Sequence, residues 1–332
     1  MKRLAFYAYR FAGMLVVLLV ISFCTFAAFY LLPTDPAQMS CGRPCTPQNL
    51  ATARAFMGFD KPWIVQYFDF LGGIFAGRTF GTGVTTITCA APCFGYSFQQ
   101  NESVLSLIGD RLPVTLSLAL GASAIWLLAG VGTGVASALK RGRFVDRFTM
   151  TVTLAGVSAP SYLVGLLGIL VFGFTLDVVP VGGYVSFADS PVDWAWHLVL
   201  PWLVLAFINA AIYARLTRGQ MLETLGEDFV RTARSAGLPE RTVIGKYALR
   251  NVLLPVATVF AVDLGQLLGG AVITERVFAL PGLGGLMIDA VHQVDLPLLL
   301  GLSVFAAFFV VVANFLVDLI GGVLDPRARV MN

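Results

Sequence analysis

Six long stretches almost without charge decide most of what this chain can fold into. They run from Phe11 to Leu32, Leu112 to Leu139, Phe148 to Leu176, Trp194 to Ala214, Asn251 to Thr274 and Leu296 to Val317. Each reaches the ~20 residues that carry a helix across a hydrocarbon core. Asp263, in the fifth, is the single Asp, Glu, Lys or Arg inside any of them. Lipid offers backbone N–H and C=O groups no partners, so such stretches must be helical. Charged residues make up 12% of the chain, against about a quarter in a soluble domain. The expectation is an all-α membrane protein with six transmembrane helices and both termini on one side. The basic N-terminus invites a signal-peptide reading, but the first stretch is long enough to span. Leu32-Pro33-Thr34-Asp35-Pro36 also lacks a small-residue cleavage site, so the segment is expected to stay as the first helix.

Lys and Arg set the orientation. Placing the N-terminus inside gives the inner segments three cations at the start, then Lys140, Arg141, Arg143 and Arg147, seven between Arg215 and Arg250, and Arg327 and Arg329. Five of the remaining six (Arg43, Arg54, Lys61, Arg78 and Arg111) fall in one long loop, where charge does not prevent translocation. Both termini are therefore expected in the cytoplasm of a prokaryotic cell, with the chain multi-pass in its inner membrane. A net charge of +3 does not point to nucleic acid, and two histidines leave little for His-based catalysis or metal binding. The sole Gly-Lys pair, Gly245-Lys246, is followed by Tyr247 and belongs to no phosphate-binding loop. No enzyme chemistry, bound cofactor or metal site is expected of this chain.

Three regions follow: residues 1–32, a cytoplasmic N-terminus and first helix; residues 33–111, a large extracytoplasmic loop domain; and residues 112–332, a five-helix core with an inner loop over 215–250. In the loop domain Thr46 to Met57 reads as a helix capped by Thr46, with Pro47 in its first turn. Lys61 to Ala76 reads as a second, amphipathic helix starting near Pro62, with Trp63, Tyr67, Phe70 and Ile74 on one face. Gly77 to Tyr96 reads as irregular or hairpin-like. Cys41, Cys45, Cys89 and Cys93 share this domain and could hold zinc or form disulfides; an oxidising compartment favours disulfides, with three connectivities open. Cys24, within the first span, reads as a small buried hydrophobe.

Of the polar residues inside the spans, Asp263 must face protein or water. Gln266 and Gly270 share its face, so it either lines a pathway or locks two helices together. Asn209 and Asn314 read as interhelical hydrogen-bonding residues. The inner loop carries Asp228 to Ala236 as one short helix, with Phe229, Ala233 and Ala236 on one face and a Glu227–Arg231 pair on another. Gly237 ends it and Pro239 starts a second helix, with Val243, Ile244, Tyr247 and Ala248 as its apolar stripe. After the fifth span, Glu275 and Arg276 mark the outer boundary. Pro281, Gly282, Gly284 and Gly285 break the chain before a short helix packed through Leu286, Met287, Ala290 and Val291, with Asp289, His292 and Asp295 towards water.

Thr232-Ala233-Arg234-Ser235-Ala236-Gly237-Leu238, followed by Leu249-Arg250-Asn251 and Pro255, resembles the coupling loop of ABC importer permeases of the dipeptide and oligopeptide type. Arg231, Thr232 and Ala233 stand where the wider family has Glu-Ala-Ala, with Gly237 in register. The resemblance covers nearly the whole chain. Leu32 to Pro36, Phe59-Asp60-Lys61-Pro62, Gln66-Tyr67, Gly95-Tyr96-Ser97-Phe98, Arg111 to Thr115, Glu275-Arg276-Val277-Phe278, Pro281 to Gly284 and Leu324-Asp325-Pro326-Arg327 follow in order. It implies the type I importer permease fold. It also implies a homologous second permease, two ATPase subunits carrying ATP and magnesium, and an external substrate-binding protein. Phe229, Arg231, Thr232, Ala233, Ala236, Gly237 and Leu238 would then couple to an ATPase, Asp263 and Gln266 would line the pathway, and Glu275, Pro281, Gly282 and Gly284 would form an external gate. The same machine could carry nickel, glutathione or glycosides. A stand-alone carrier or channel is the rival from another class, and neither inverted repeats nor a relay of intramembrane charges supports it.

Overall fold

A computed structural model of the chain describes residues 2–30, 37–38, 46–58, 60–81 and 86–324. Cys41, Cys45, Phe59, Leu32 to Pro36 and the C-terminal Asp325-Pro326-Arg327 lie outside the described residues. Among the described residues, five helices are long and apolar enough to cross a membrane, or six if a bent pair of shorter apolar helices counts as one span.

Helix α1 (Lys2–Tyr30) opens the chain. Next come α2 (Pro47–Met57) and α3 (Trp63–Ala76). The Thr46 hydroxyl caps α2 by accepting from the Asn49 N–H, and Gly58 closes it in the left-handed region. Tyr67 and Phe70 bury the inner face of α3, and the Tyr67 hydroxyl meets Ser22 of α1 at 3.0 Å. Two antiparallel ribbons follow, β1 (Arg78–Phe80) with β2 (Ile87–Cys89) and β3 (Tyr96–Ser97) with β4 (Glu102–Ser103), so the architecture is mostly helical rather than all-α. The Cys89–Cys93 disulfide joins a small core with Phe80, Ile87, Tyr96 and Phe98.

The core departs from the expected span limits in ways the backbone explains. The second crossing, α4 (Val104–Leu139), starts at the Ser103 cap, so the expected boundary at Arg111 falls inside a helix. The third stretch is not one helix: α5 (Phe144–Ser158) and α6 (Ser161–Gly168, continued by a wide π turn to Thr175) meet at 103°. Pro160 has no N–H to donate and holds Ala159 extended, which breaks the ladder there. Helix α7 (Pro191–Leu225) absorbs the first third of the expected inner loop. That loop therefore reduces to α8 (Asp228–Ser235) and the Gly-Leu-Pro turn after it. The second loop helix is not separate either. The short α9 (Glu240–Thr242) runs through a π segment, Val243–Ala248, into α10 (Leu249–Leu268) as one crossing. This crossing stops at Gly269-Gly270, short of the expected Thr274. Gly270 has φ +121°, and a Cβ there would lie 2.6 Å from the Gly284 nitrogen. Two short helices, α11 (Val272–Val277) and α12 (Leu283–His292), precede α13 (Leu296–Leu324).

The α4–α7 pair is the spine of the core. Gly130 and Gly134 sit one turn apart on α4. A Cβ at Gly130 would lie 2.6 Å from Tyr213 Cβ, and one at Gly134 would lie 2.7 Å from the Ala214 carbonyl oxygen. This is the small-residue spacing by which membrane helices approach without a hydrophobic driving force. Trp126, Leu118, Leu198 and Met221 fill the interface. Helix α13 packs against both α10 and α1.

Candidate functional site

Helix α4 carries a buried hydrogen-bonding hydroxyl near each end, Thr115 and Ser137, with the Trp126 ring buried between them. At 1.5 Å per residue the outer two are about 33 Å apart, close to the thickness of a hydrocarbon core.

At the Thr115 end the chain after α10 is stitched together by one carboxylate. Glu275 is fully buried. Its Oε1 accepts from the Thr115 hydroxyl at 2.9 Å and from the Ala271 N–H at 3.2 Å, and its Oε2 accepts from the Gly285 N–H at 2.9 Å. The Thr115 oxygen in turn accepts the Leu283 N–H at 2.9 Å. Glu275 therefore reaches back over the start of α11 and also faces the N-terminus of α12, where a negative charge is favoured. Glycine makes the room: a Cβ on Gly282 would sit 2.4 Å from the carboxylate carbon, and one on Gly284 would sit 2.6 Å from Val272 Cα. Pro281 is exposed at the turn. Arg276 lies outside, pairing with Asp289 and donating to the Gly285 carbonyl at 3.1 Å.

Glu275 is not at a wet boundary but inside protein. Asp295 does not face water either: it is 3% exposed, accepts from the Ser97 hydroxyl and takes the Leu298 N–H at 3.3 Å as the cap of α13. Burial pushes the Asp295 carboxyl above its ordinary value, against the hydrogen bonds from Ser97 and Leu298. The packed face of α12 is Leu283, Leu286 and Ala290, with Val291 exposed, because the helix starts at Leu283 and sets the 3.6-residue register from there.

At mid-depth Tyr213 donates to Asp263 Oδ2 at 2.7 Å, joining α7 to α10, and Trp126 packs on the Tyr213 ring. Of the two readings of Asp263, the helix lock has this bond behind it. Gln266 is exposed and takes no part. Asn209 and Asn314 do not bridge helices: each amide donates to a carbonyl four residues back in its own helix, Leu205 and Val310. Cys24 is exposed rather than buried.

At the far end Asp146, 5% exposed, collects the Ser137 hydroxyl at 2.5 Å, the Gly142 N–H at 2.8 Å and a two-pronged Arg218 at 2.6 and 3.0 Å. It pins the α4–α5 turn to α7 seven residues before α7 ends. Neither Asp146 nor Tyr213 stood out in the sequence. For Asp146 the available signal was a lone acid within a basic turn; Tyr213 had none.

Beyond α7 the chain turns into α8. Val230 and Ala233 are buried against Val243, Leu225 and Leu238, so Ala233 belongs to the base of this elbow and not to the outward face shared with Phe229. Phe229, Arg231, Thr232, Ala236 and Gly237 are exposed, and Leu238 is half-buried. Glu227 stands extended before the helix, off the side-chain ladder, so Arg231 pairs with Asp228 at 3.3 Å and not with Glu227. Pro239 takes the cap position of α9 instead of its first turn, and Arg234 closes the elbow by pairing with Glu240 at 2.6 Å.

Residues 3–119 match the N-terminal segment of the binding-protein-dependent transport system membrane component, and residues 130–330 match the binding-protein-dependent transport system inner membrane component. A Brucella abortus protein named as a putative peptide transport system permease is 38% identical over 320 residues, 96% of this chain and 97% of that one. A di/tripeptide transport system permease of Pseudomonas aeruginosa is 36% identical over 347 residues, 98% and 99% of the two chains. A probable D,D-dipeptide transport system permease of Escherichia coli is 34% identical over 336 residues, 95% and 94% of the two chains.

Proposed function

The chain belongs to the family of binding-protein-dependent transport system inner membrane components, and from that premise we propose that it is the permease subunit through which an ATP-driven importer moves di- or oligopeptides. The relatives' names support peptide as the cargo. One structural observation carries the mechanism: a short helix, α8, stands on a buried base of Val230 and Ala233 and offers Phe229, Arg231, Thr232, Ala236 and Gly237 outward. A partner ATPase, holding the ATP and magnesium, docks on that outward set in the cytoplasm, where both termini also lie. Its closure on ATP pushes the elbow, and with it α7 and α10, between which the elbow sits.

The residues between α1 and α4 form the extracytoplasmic domain on which the peptide-binding protein docks. The α11–α12 hairpin closes the outer mouth as a gate, with Glu275, Gly282 and Gly284 inside it and Pro281 at its exposed turn. The apolar outer faces of α5 and α6, including exposed Leu154, Leu166, Leu170 and Phe174, meet lipid and the homologous second permease. The six crossings then follow the type I importer arrangement, the bent α5–α6 pair supplying the third.

The test is growth of a cell that needs one amino acid and lacks other peptide importers. Supplied with a dipeptide containing that amino acid, it grows only when this chain and its partner subunits are present. Phe229→Asp abolishes that growth with normal membrane abundance and normal growth on the free amino acid. Undiminished growth of the Phe229→Asp strain contradicts the docking site, and failure on every di- to pentapeptide tried contradicts the cargo.

A further inference from the structure

Thr115 is the pin at which the hairpin after α10 meets the long helix α4. Its hydroxyl donates to Glu275 and accepts from Leu283, so a single oxygen holds both limbs of the hairpin. Glu275 is inaccessible to water, and its other two donors, Ala271 and Gly285, belong to the hairpin itself. Breaking the Thr115 contact would therefore remove the buried polar tie between the hairpin and α4, leaving the apolar packing of Leu283, Leu286 and Ala290 on Val104, Leu107 and Ile108 in place. From Thr115 to Ser137 α4 has no proline, since Pro113 lies before the pin. Ser137 is tied through Asp146 to Arg218, on the last two turns of α7 before the elbow. A displacement at the elbow thus has an unbroken path of helix and buried hydrogen bonds to the hairpin.

We propose that Glu275 is a positioning residue which, through Thr115, makes the α11–α12 hairpin move as one body with α4, so that the elbow at one end and the hairpin at the other change state together. The inference rests on the transport reading and names the contact that couples its two ends. Gly270, Gly282 and Gly284 serve it by letting the two limbs approach until one carboxylate spans both.

The experiment uses the complete complex, purified with its second permease, ATPases and binding protein, in proteoliposomes supplied with a radiolabelled dipeptide. Thr115→Val removes the hydroxyl at constant volume. Glu275→Gln keeps the shape but turns an N–H₂ towards a donor at Gly285 or Thr115. Each lowers maximal uptake and binding-protein-stimulated ATP hydrolysis by about tenfold, the scale of one buried hydrogen bond to a charged group. Basal ATP hydrolysis and the binding-protein concentration for half-maximal stimulation stay within about twofold, because the interaction removed acts on turnover and not on docking. Thr115→Ser restores the hydroxyl and the activity, and the double variant is no worse than the worse single one. Wild-type turnover by Thr115→Val overturns the tie, as does a parallel loss of basal hydrolysis and thermal stability, which would mark a purely structural role. A wild-type complex that the binding protein does not stimulate overturns the transport reading itself.

Discussion

Asp146 and Asp295 are both buried carboxylates, yet their partners set opposite expectations. Asp146 is paired with a cation, so removing Arg218 leaves a charge without its partner, which costs about 3–5 kcal/mol in buried pairs. Arg218 itself is 24% exposed and can turn to water. Arg218→Met should therefore lower thermal stability in mild detergent well beyond the loss from Asp146→Asn. The reverse order would show that Asp146 is held mainly by Ser137 and Gly142. Asp295 has only neutral donors and lies in protein. Its value is raised above the usual 3.8, so the folded state holds its proton more tightly than the unfolded chain does. The stability this contributes is complete below the unfolded value and is lost as pH rises through the folded one. Asp295→Asn cannot ionise, so its melting temperature relative to the parent should improve from pH 4 to pH 8. A difference independent of pH would mean that folding does not raise the proton affinity of this carboxyl.

Among the elements, α4 and α7 approach through Gly130 and Gly134. Gly134→Val places methyl groups inside the Ala214 carbonyl and Thr217, and overpacking of this kind costs about 1–3 kcal/mol or more. The same change at Gly132, which has open space around it, should be near neutral apart from helix propensity. Equal losses from the two, read as the yield of folded protein in detergent, would remove the close-packing account. The helices themselves were readable because lipid permits so few alternatives: charge-free runs located the crossings, and Thr46, Gly237 and the glycines after Pro281 marked caps and turns. What remained hidden depended on three-dimensional register. Nothing in one dimension shows that Thr115 meets Glu275 or that Tyr213 meets Asp263, since 160 and 50 residues separate them. The bend at Pro160 was written in the sequence as a proline, but hydropathy alone runs straight through it. The face of α8 was misassigned at Ala233 because an isolated amphipathic helix does not reveal which side its neighbours cover.

On the scale of the whole molecule, the polar contacts gather at two ends and one middle level of a bundle about as deep as a membrane. The elbow is at one end and the glycine-rich hairpin at the other, with α4 between them. That layout suits a subunit that receives work at one surface and opens a path at the other. The most direct measurement is peptide uptake into proteoliposomes containing the purified complex, with ATP and binding protein each confined to one side. Uptake should require ATP on the side of the elbow and liganded binding protein on the side of the hairpin, and Phe229→Asp should remove it while leaving the complex in the membrane. Uptake that proceeds without ATP or without binding protein, driven by an ion gradient or by the peptide gradient alone, would contradict the account.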